Sequence, residues 1–337
     1  MRQPFDLHNL RIAIDKQLKN VVDCCIPEEF VRMKAMLAYQ MGWEGPGAGI
    51  EAQGKRIRPM LTLLSAAAAG GDWKDALPAA CSVELIHNFS LIHDDIQDQS
   101  TLRRGRDTVW VKWGMAQAIN AGDLMFTLAF SGIWELKNRL SLHAMVDAYE
   151  ILQTTCIRLT GGQYLDLYNE KARSLDLEAY WQMIGGKTAA LLACSAELGA
   201  ICAHASPEKC QSFFEFGEKL GLAFQVQDDW LGIWGDAART GKSSESDLVS
   251  GKKSLPVVYG LSLRQNFAKR WLEGPILANE VSDVAILLED EGVKDFTEKT
   301  ANRLTNEALS ALDQAAQESQ GKSELLNLAE ALIRREN

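Results

Sequence analysis

Proline is scarce in this chain: eight among 337 residues, and none between Pro78 and Pro207. A proline inside a helix removes a hydrogen bond and collides with the preceding turn, so the long proline-free middle leaves helices uninterrupted. Strand-like alternation of apolar and polar residues is missing too, which leaves no sheet to build. No unbroken apolar run approaches the roughly eighteen residues of a membrane span, and the N-terminal MRQPFDLHNL has no apolar signal core. No stable membrane insertion and a cytoplasmic location are therefore expected. Positive charge is in deficit, 35 Lys and Arg against 45 Asp and Glu for a net charge of -10, which argues against general affinity for nucleic acid or anionic membranes. The seven cysteines (Cys24, Cys25, Cys81, Cys156, Cys194, Cys202, Cys210) form no CxxC pair and no zinc-site spacing. Their odd number fits a reducing compartment, and they read as small apolar residues. The terminal IRREN carries no prenylation signal.

What is present is apolar material at helical spacing. With 47% hydrophobic and 24% charged residues, the chain can bury a large core. Apolar residues recur every three and four positions in AACSVELIHNFSLIH and MAQAINAGDLMFTLAFSGI. This periodicity predicts an all-α fold, with helices near 8–24, 28–42, 56–70, 76–99, 114–137, 141–172, 176–184, 186–204, 207–233, 254–265, 278–290 and 296–335. Several begin at Pro27, Pro78, Pro207 or Pro256, where a missing N–H costs nothing. No repeat of 20 to 50 residues appears, so a solenoid is not expected. One domain over 1–337 is expected, with flexible loops near 44–54 (EGPGAGIEAQG) and 235–254 (GDAARTGKSSESDLVSGKKS). Polar loops of the second kind inside a compact domain are usually functional or disordered, and Lys242, Lys252 and Lys253 favour function.

One stretch concentrates charge against its own interest. SLIHDDIQDQSTLRRG ends an apolar helix in Asp94, Asp95 and Asp98, then brings Arg103 and Arg104 within ten residues. Asp94 and Asp98 are four apart and share a face with His87 and Leu91. Two carboxylates about 6 Å apart repel by roughly 0.7 kcal/mol in bulk water and about 3 kcal/mol at an effective dielectric near 20. In a pocket they need a cation, and hard divalent cations such as magnesium take carboxylate, phosphate and water oxygens. A second stripe is built alike: in GLAFQVQDDWLGIWGD, Gln225, Asp228, Asp229, Gly232 and Asp236 recur at spacings of three and four. The expectation is two helices facing across a cavity, with metal between them holding a polyphosphate.

Cationic groups complete that expectation. GKRIRP (54–59) carries Lys55, Arg56 and Arg58; LRRG carries Arg103 and Arg104; GGKTAALL sets Lys187 after two glycines, where a helix start or break admits close approach. Arg and Lys would serve diphosphate oxygens that no metal reaches. GKRIRP is not a nucleotide P-loop, since the GxxxxGK[ST] frame and a preceding strand are both missing. His93 reads as a structural helix residue, while His87 is better placed.

Together these motifs resemble the trans-isoprenyl diphosphate synthases, or polyprenyl synthetases. The resemblance runs in order through GKRIRP (54–59), ELIHNFSLIHDDIQD (84–98), LRRGRDTVW (102–110), GDLM (122–125), GGQYLDL (161–167), GGKTAALL (185–192), FQVQDDWLGIWGD (224–236) and GKKSLPVVYGL (251–261). It implies an isoprenoid synthase fold, a single large helical bundle around a deep apolar central cavity, as a homodimer. It also implies a reaction in which an allylic diphosphate, held through about three magnesium ions, ionises and is attacked by the double bond of isopentenyl diphosphate, after which a proton is lost. By the same resemblance Asp94, Asp98 and Asp228 are the principal magnesium ligands, with Asp95, Asp229 and Asp236 direct or water-mediated. Arg103, Lys187, Gln225 and Lys242 hold the allylic diphosphate beside Thr188, and Lys55, Arg58, His87 and Arg104 hold isopentenyl diphosphate. Lys252 joins the substrate-binding set. Asp94, Asp98, Asp228, Arg103, Lys187 and Lys242 carry catalysis.

Two departures stand out. The usual third aspartate of the second motif is Gly232, for which Asp236 one turn onward is the expected compensation, and the usual RRGxPT reads RRGRDT, with Asp107 expected to loosen a turn. Product length in the family is set by side chains below the first motif. Ser90, one turn before Asp94, leaves the path open, while the resemblance turns Phe89 inward as a block. That pattern is similar to geranylgeranyl diphosphate synthases, with farnesyl and twenty-five-carbon products open. A class I terpene cyclase or squalene synthase shares the architecture, but a cyclase should show an Asn/Ser/Glu triad near 225–240, and neither needs GKRIRP and RRG. A non-catalytic partner subunit should have eroded aspartate motifs.

Overall fold

The computed structural model of the chain describes residues 6–170, 172, 174–235 and 247–334. Asp236 and Lys242 lie outside the described residues. Regular structure is almost wholly helical: α1 Leu7–Cys25, α2 Val31–Gln40, α3 Ile57–Ala68, α4 Leu77–Gln97, α5 Met115–Trp134, α6 Leu142–Glu170, α7 Leu177–Ile184, α8 Ala190–Cys202, α9 Pro207–Trp234, α10 Leu255–Leu263, α11 Asn266–Glu273, α12 Val281–Asp290, α13 Val293–Ala315 and α14 Gln320–Arg334. Between α4 and α5, β1 Leu102–Arg103 pairs antiparallel with β2 Arg106–Asp107. Short helical turns occupy Ile50–Gln53, Val109–Trp113 and Asp247–Ser250. The chain divides into two compact units, the first comprising Met1–Thr154, Cys194–Phe213 and Gln314–Leu328, the second Thr155–Ala193, Phe214–Asp313 and Ala329–Asn337.

In the first unit α4 is buried along nearly its whole length up to Asn88, and small residues let α5 come close to it. A Cβ on Gly122 would stand 2.3 Å from His93 Nε2, and one on Gly132 would stand 2.7 Å from Ser82 Oγ. Arg56, buried at the start of α3, pairs with Glu84 of α4 and with Asp15 of α1 and donates to Met41 O. A buried ion left without its partner is costly, so this network fixes α1, α3 and α4 together. In the second unit Tyr180, Met183 and Ile184 of α7 pack with Ala223 and Val226 of α9, Leu255 and Val258 of α10, and Ala301 and Leu304 of α13. Gly217 and Gly221 bring α9 onto residues 189–193: a Cβ on Gly221 would meet Ala189 Cα at 2.6 Å. The helical run Leu177–Cys202 is long and apolar enough to cross a bilayer on composition, but most of it is buried within the fold, as befits a core helix.

The expected helices 28–42, 186–204 and 296–335 differ in detail. The first opens with a 3-10 turn at Glu28–Phe30, the second has a π-turn at Gly185–Ala189, and the third is broken into α13 and α14. No proline marks that last break. It is made by Ser319, whose Oγ accepts from Lys322 N at 3.2 Å as an N-cap, and by Gly321, where a Cβ would stand 2.7 Å from the Ala67 backbone. Helix α11 was not expected; it is separated from α10 by Arg264, which takes a left-handed φ of 56°.

Candidate active site

In the first unit the acidic end of α4 separates its three aspartates by environment. Asp94 is half-buried, Asp98 exposed at the C-cap, and Asp95 only 1% exposed. Arg103 reaches Asp95 with its Nε at 2.8 and 2.9 Å from the two carboxylate oxygens and with Nη2 at 2.7 Å from Oδ1. Burial raises the Asp95 pKa, and the Arg103 guanidinium opposes that rise. Asp95 and Arg103 are thus each other's bidentate partners.

Beside them lies a cationic cluster. Arg58 Nη1 is 3.3 Å from His87 Nε2; since a guanidinium can only donate, that nitrogen accepts and the ring is neutral. Burial, then Arg58, Arg104, Arg103 and Arg56, push the His87 pKa well below its usual value. Burial likewise lowers Arg58 and Arg104, with Glu84 opposing. Four guanidiniums around an uncharged imidazole form a field that an anion would relieve.

The glycine-rich loop before α3 is laced down by arginines. Arg106 donates from Nη1 to Tyr39 O at 2.9 Å, from Nη2 to Glu44 O at 2.7 Å and from Nε to Pro46 O at 2.9 Å, and its guanidinium lies 3.9 Å from the Tyr39 ring centroid. Arg104 Nη1 donates to Ala52 O at 2.9 Å, and Arg11 reaches Ile50 O and Gly54 O. A Cβ at Gly54 would collide with the Arg104 guanidinium at 2.5 Å. Asp107 does not loosen its turn: Arg104 and Gly105, with φ of 53° and 72°, form a two-residue hairpin loop of the kind that matches strand twist, and Asp107 O accepts from Tyr39 Oη at 2.8 Å. Lys55 stays exposed at the end of this loop.

Phe89 heads a file of rings: Phe89 to Phe126 at 5.1 Å, Phe126 to Phe130 at 5.3 Å, Phe130 to Tyr149 at 5.2 Å between centroids. Ser90 Oγ donates to His87 O at 2.9 Å. His93 Nε2 lies 3.4 Å from Ile119 O and 3.7 Å from Asp123, in keeping with a structural part.

In the second unit the π-turn Gly185–Ala189 sits in the middle of a helix, a form that recurs at functional sites. Gly162 and Gly186 touch backbone to backbone there; a Cβ on Gly162 would stand 2.1 Å from Lys187 N. Lys187 Nζ pairs with Asp166, and Thr188 Oγ1 donates to Gln225 Oε1 at 2.8 Å. Gln225 Nε2 donates in turn to Asp229 Oδ1 at 2.9 Å. Asp229, 1% exposed, also accepts from Tyr180 Oη at 2.7 Å and Leu255 N at 2.8 Å, with Lys252 Nζ at 3.6 Å. Burial alone would push the Lys252 ammonium down, but Asp229, Asp247, Asp228 and Asp166 push it up beyond its ordinary value. Asp228 is half-buried. Glu84, Tyr180, Asp166 and Asp247 were not anticipated. Asp166 stands in the quoted GGQYLDL, Glu84 opens ELIHNFSLIHDDIQD and Asp247 lies in the polar loop 235–254, so each could have been found there; Tyr180 carries no local signal.

The carboxylates in each unit are oxygen donors of the kind magnesium takes. Among the described residues no three His, Cys, Asp or Glu side chains gather to hold a metal unaided, but magnesium commonly takes only one or two carboxylates together with substrate phosphates and waters. Asp94 and Asp98 of the first unit and Asp228 of the second are carboxylates that keep exposed surface; Asp95 is bonded by Arg103, and Asp229 by Tyr180, Gln225 and Leu255. The ammonium of Lys252 among four carboxylates shows how strongly that corner draws positive charge.

Known proteins share the sequence and the fold of this chain. The chain is 36% identical over 311 residues to a geranylgeranyl diphosphate synthase of Mycobacterium tuberculosis, covering 90% of this chain and 87% of that one. It is 37% identical over 314 residues to a (2E,6E)-farnesyl diphosphate synthase of Mycobacterium bovis, covering 90% and 86%. The crystal structure of geranylgeranyl pyrophosphate synthetase from Pyrococcus horikoshii superposes with a TM-score of 0.87 at 32% identity, covering 97% of this chain and 96% of the other. The family profile Polyprenyl synthetase matches residues 48–288, and the chain, all-α with the isoprenoid synthase fold, belongs to that family.

Proposed function

We propose that this trans-prenyltransferase condenses isopentenyl diphosphate with dimethylallyl, geranyl and farnesyl diphosphates, and that its product is geranylgeranyl diphosphate. One observation carries the reading: the carboxylates of Asp94 and Asp98 end the same helix that places neutral His87 among Arg56, Arg58, Arg103 and Arg104, so metal-binding and metal-free anion sites adjoin. Bound magnesium, held by Asp94, Asp98 and Asp228 with Asp95, Asp229 and Asp236 in support, would supply positive charge to the departing diphosphate.

The protein's own groups do the rest. Lys187, Gln225, Thr188, Arg103, Lys242 and Lys252 hold the allylic diphosphate, and because charge builds on it as the bond breaks, their donors stabilise the transition state more than the ground state. Lys55, Arg58, His87 and Arg104 hold isopentenyl diphosphate with its double bond toward the allylic carbon; the neutral His87, whose Nε2 accepts from Arg58, can donate through Nδ1 without adding charge. The condensed cation loses its proton to the released diphosphate, so no side-chain nucleophile is needed. Phe89, with Ser90 beside it, stops growth at twenty carbons. A homodimer is supported by α6, along one side of which Leu142, Val146, Tyr149, Ile157, Tyr164 and Tyr168 are exposed, an apolar stripe of the kind that marks an interface. A cytoplasmic location accords with this chemistry.

The test is direct. Purified protein is incubated with isopentenyl diphosphate and each of the five-, ten- and fifteen-carbon allylic primers, with magnesium and after chelation. Magnesium-dependent formation of the twenty-carbon diphosphate is expected, and Asp94→Ala is expected to abolish it with the fold intact. Turnover unaffected by chelation, or full activity of Asp94→Ala, would refute the metal-ligand role; a shorter or longer main product would refute the assignment of chain length.

A further inference from the structure

Behind the π-turn lies a cavity of about 700 Å³ that none of the proposed substrate or metal ligands lines. Its size is that of a small-molecule site, and every residue of its wall belongs to the second unit. Leu165 of α6, Trp181 of α7, Leu222 of α9 and Leu304 of α13 give it apolar surface. Its charges are mostly basic. Among the described residues of the wall, Arg158, Lys219 and Arg303 stand against a single carboxylate, Glu218. Arg158 Nη2 lies 2.8 Å from Glu218, while Lys219 and Arg303 share Glu307 at 3.0 and 2.5 Å. Three cations thus divide two carboxylates, leaving one positive charge over in a chain whose net charge is -10.

Gly185 and Gly186 of the π-turn form part of the same wall. The turn is held tightly on one side only. A Cβ on Gly186 would stand 2.5 Å from Arg158 O and 2.9 Å from Gly162 Cα, so α6 allows no movement toward itself. A Cβ on Gly185 would meet nothing within 4 Å, and neither would one on Gly161 of α6, which also borders the cavity. The turn can therefore yield only into open space. The residues that follow directly are Lys187 and Thr188, paired with Asp166 and Gln225.

We propose that this cavity binds an amphipathic anion, an apolar chain carrying one carboxylate or phosphate head, and that the occupant braces the π-turn for the allylic diphosphate. The head pairs with Arg158, Lys219 and Arg303, whose guanidiniums keep N–H donors beyond those given to Glu218 and Glu307. The chain lies against Trp181 and the leucines. With its open side filled, the turn holds Lys187 and Thr188 in one arrangement, and a pre-organised site binds more tightly. The brace rests on the prenyltransferase reading; the binding does not.

Binding is therefore measured apart from turnover. Decanoate, decyl phosphate and the neutral decanol are titrated calorimetrically, without magnesium or substrate, into the full chain and two variants. Gly161→Phe fills the cavity, and the double variant Lys219→Gln with Arg303→Gln removes two of its cations. Both anions are expected to bind wild type about tenfold more tightly than decanol, as suits hydrogen bonds to a charged group. The tighter of the two anions names the source, a fatty carboxylate or a lipid monophosphate. Gly161→Phe should weaken all three probes, and the double variant should lose the preference for the anions alone. With magnesium and substrates present, decanoate should lower KM for the allylic primer about fivefold in wild type and leave it unchanged in the double variant. KM for isopentenyl diphosphate should stay within about twofold. Equal binding of decanol and the anions, or anion binding that the double variant retains in full, overturns the site; if Gly161→Phe does not fold, the double variant decides. An allylic KM unmoved by bound decanoate overturns the brace. A wild type that binds the anions but condenses no substrates overturns the prenyltransferase reading and the brace with it, and leaves the site standing.

Discussion

Tyr180 donates its phenolic hydroxyl to Asp229 Oδ2 at 2.7 Å, and the neighbouring carboxylate, Asp228, has no such burial. Two adjacent aspartates of one motif thus live in different surroundings. Asp229 is fixed by Tyr180, Gln225, Leu255 and Lys252.

Breaking a buried, multiply bonded carboxylate typically costs about 3–5 kcal/mol. Asp229→Asn should therefore lower the melting temperature by several degrees. Asp228→Asn should leave it near wild type while cutting kcat on the order of a hundredfold or more, the scale for removing one transition-state stabiliser. Calorimetry and steady-state kinetics on both variants check this; equal melting temperatures would contradict it.

Arg106 touches no proposed substrate group, yet it holds two carbonyls of the loop that leads into Lys55 and Arg58, those of Glu44 and Pro46, and ties them to Tyr39 O at the end of α2. Arg106→Ala should raise KM for isopentenyl diphosphate on the order of tenfold, a loss of about 1.4 kcal/mol of binding. KM for the allylic primer should stay within about twofold. Arg106→Lys keeps the charge without the planar fork and should fall between. A parallel rise in both KM values would argue against a loop-specific effect.

Phe89 is braced by Phe126 at 5.1 Å. Phe89→Ala should shift products beyond twenty carbons, and Phe126→Ala should do so more weakly by letting Phe89 tilt away. In the double variant the Phe126 change should add nothing, because its effect passes through the other ring. Chromatography of the dephosphorylated products reads the distribution, and an unaltered one in Phe89→Ala would place the stop elsewhere.

Much of this was legible in the sequence, and what was not has a common cause. Periodicity and proline placement located most helices, and acidic and basic motifs located the residues around Asp94, His87, Lys187 and Asp228. Partnership was not legible. Nothing in RRG says that Arg103 will close on Asp95 while Arg104 reaches Ala52 O, nor that Arg56 of GKRIRP will be buried against Glu84, because pairing is decided by packing between segments far apart in the chain. The π-turn escaped because it is a change of hydrogen-bond register, not of composition, and α13 and α14 looked continuous because serine and glycine can also occur inside a helix.

Glu197 makes stability depend on pH. It lies on α8 among buried neighbours, and burial pushes its carboxyl up to about 7 from 4.5. Below pH 4.5 folded and unfolded chains both hold the proton. As pH rises from there the unfolded chain releases it first, so this group's contribution falls, by on the order of 3 kcal/mol, until the folded carboxyl also ionises near pH 7. Glu197→Gln should match wild type near pH 4.5 and be the more stable protein at pH 8. Thermal melts across that range test it; parallel curves would show that the group titrates normally.

The π-turn at Gly185–Ala189 has an evolutionary consequence. It holds one residue more than an ordinary helical turn would need, at a place where two glycines leave room for the bulge. Loss of a single codon would let the helix run on at its regular pitch, and each residue counts for about 100° of rotation. Lys187 would then swing away from Asp166, and Thr188 away from Gln225. Insertions and deletions that drift harmlessly through surface loops should accordingly be purged from this short stretch.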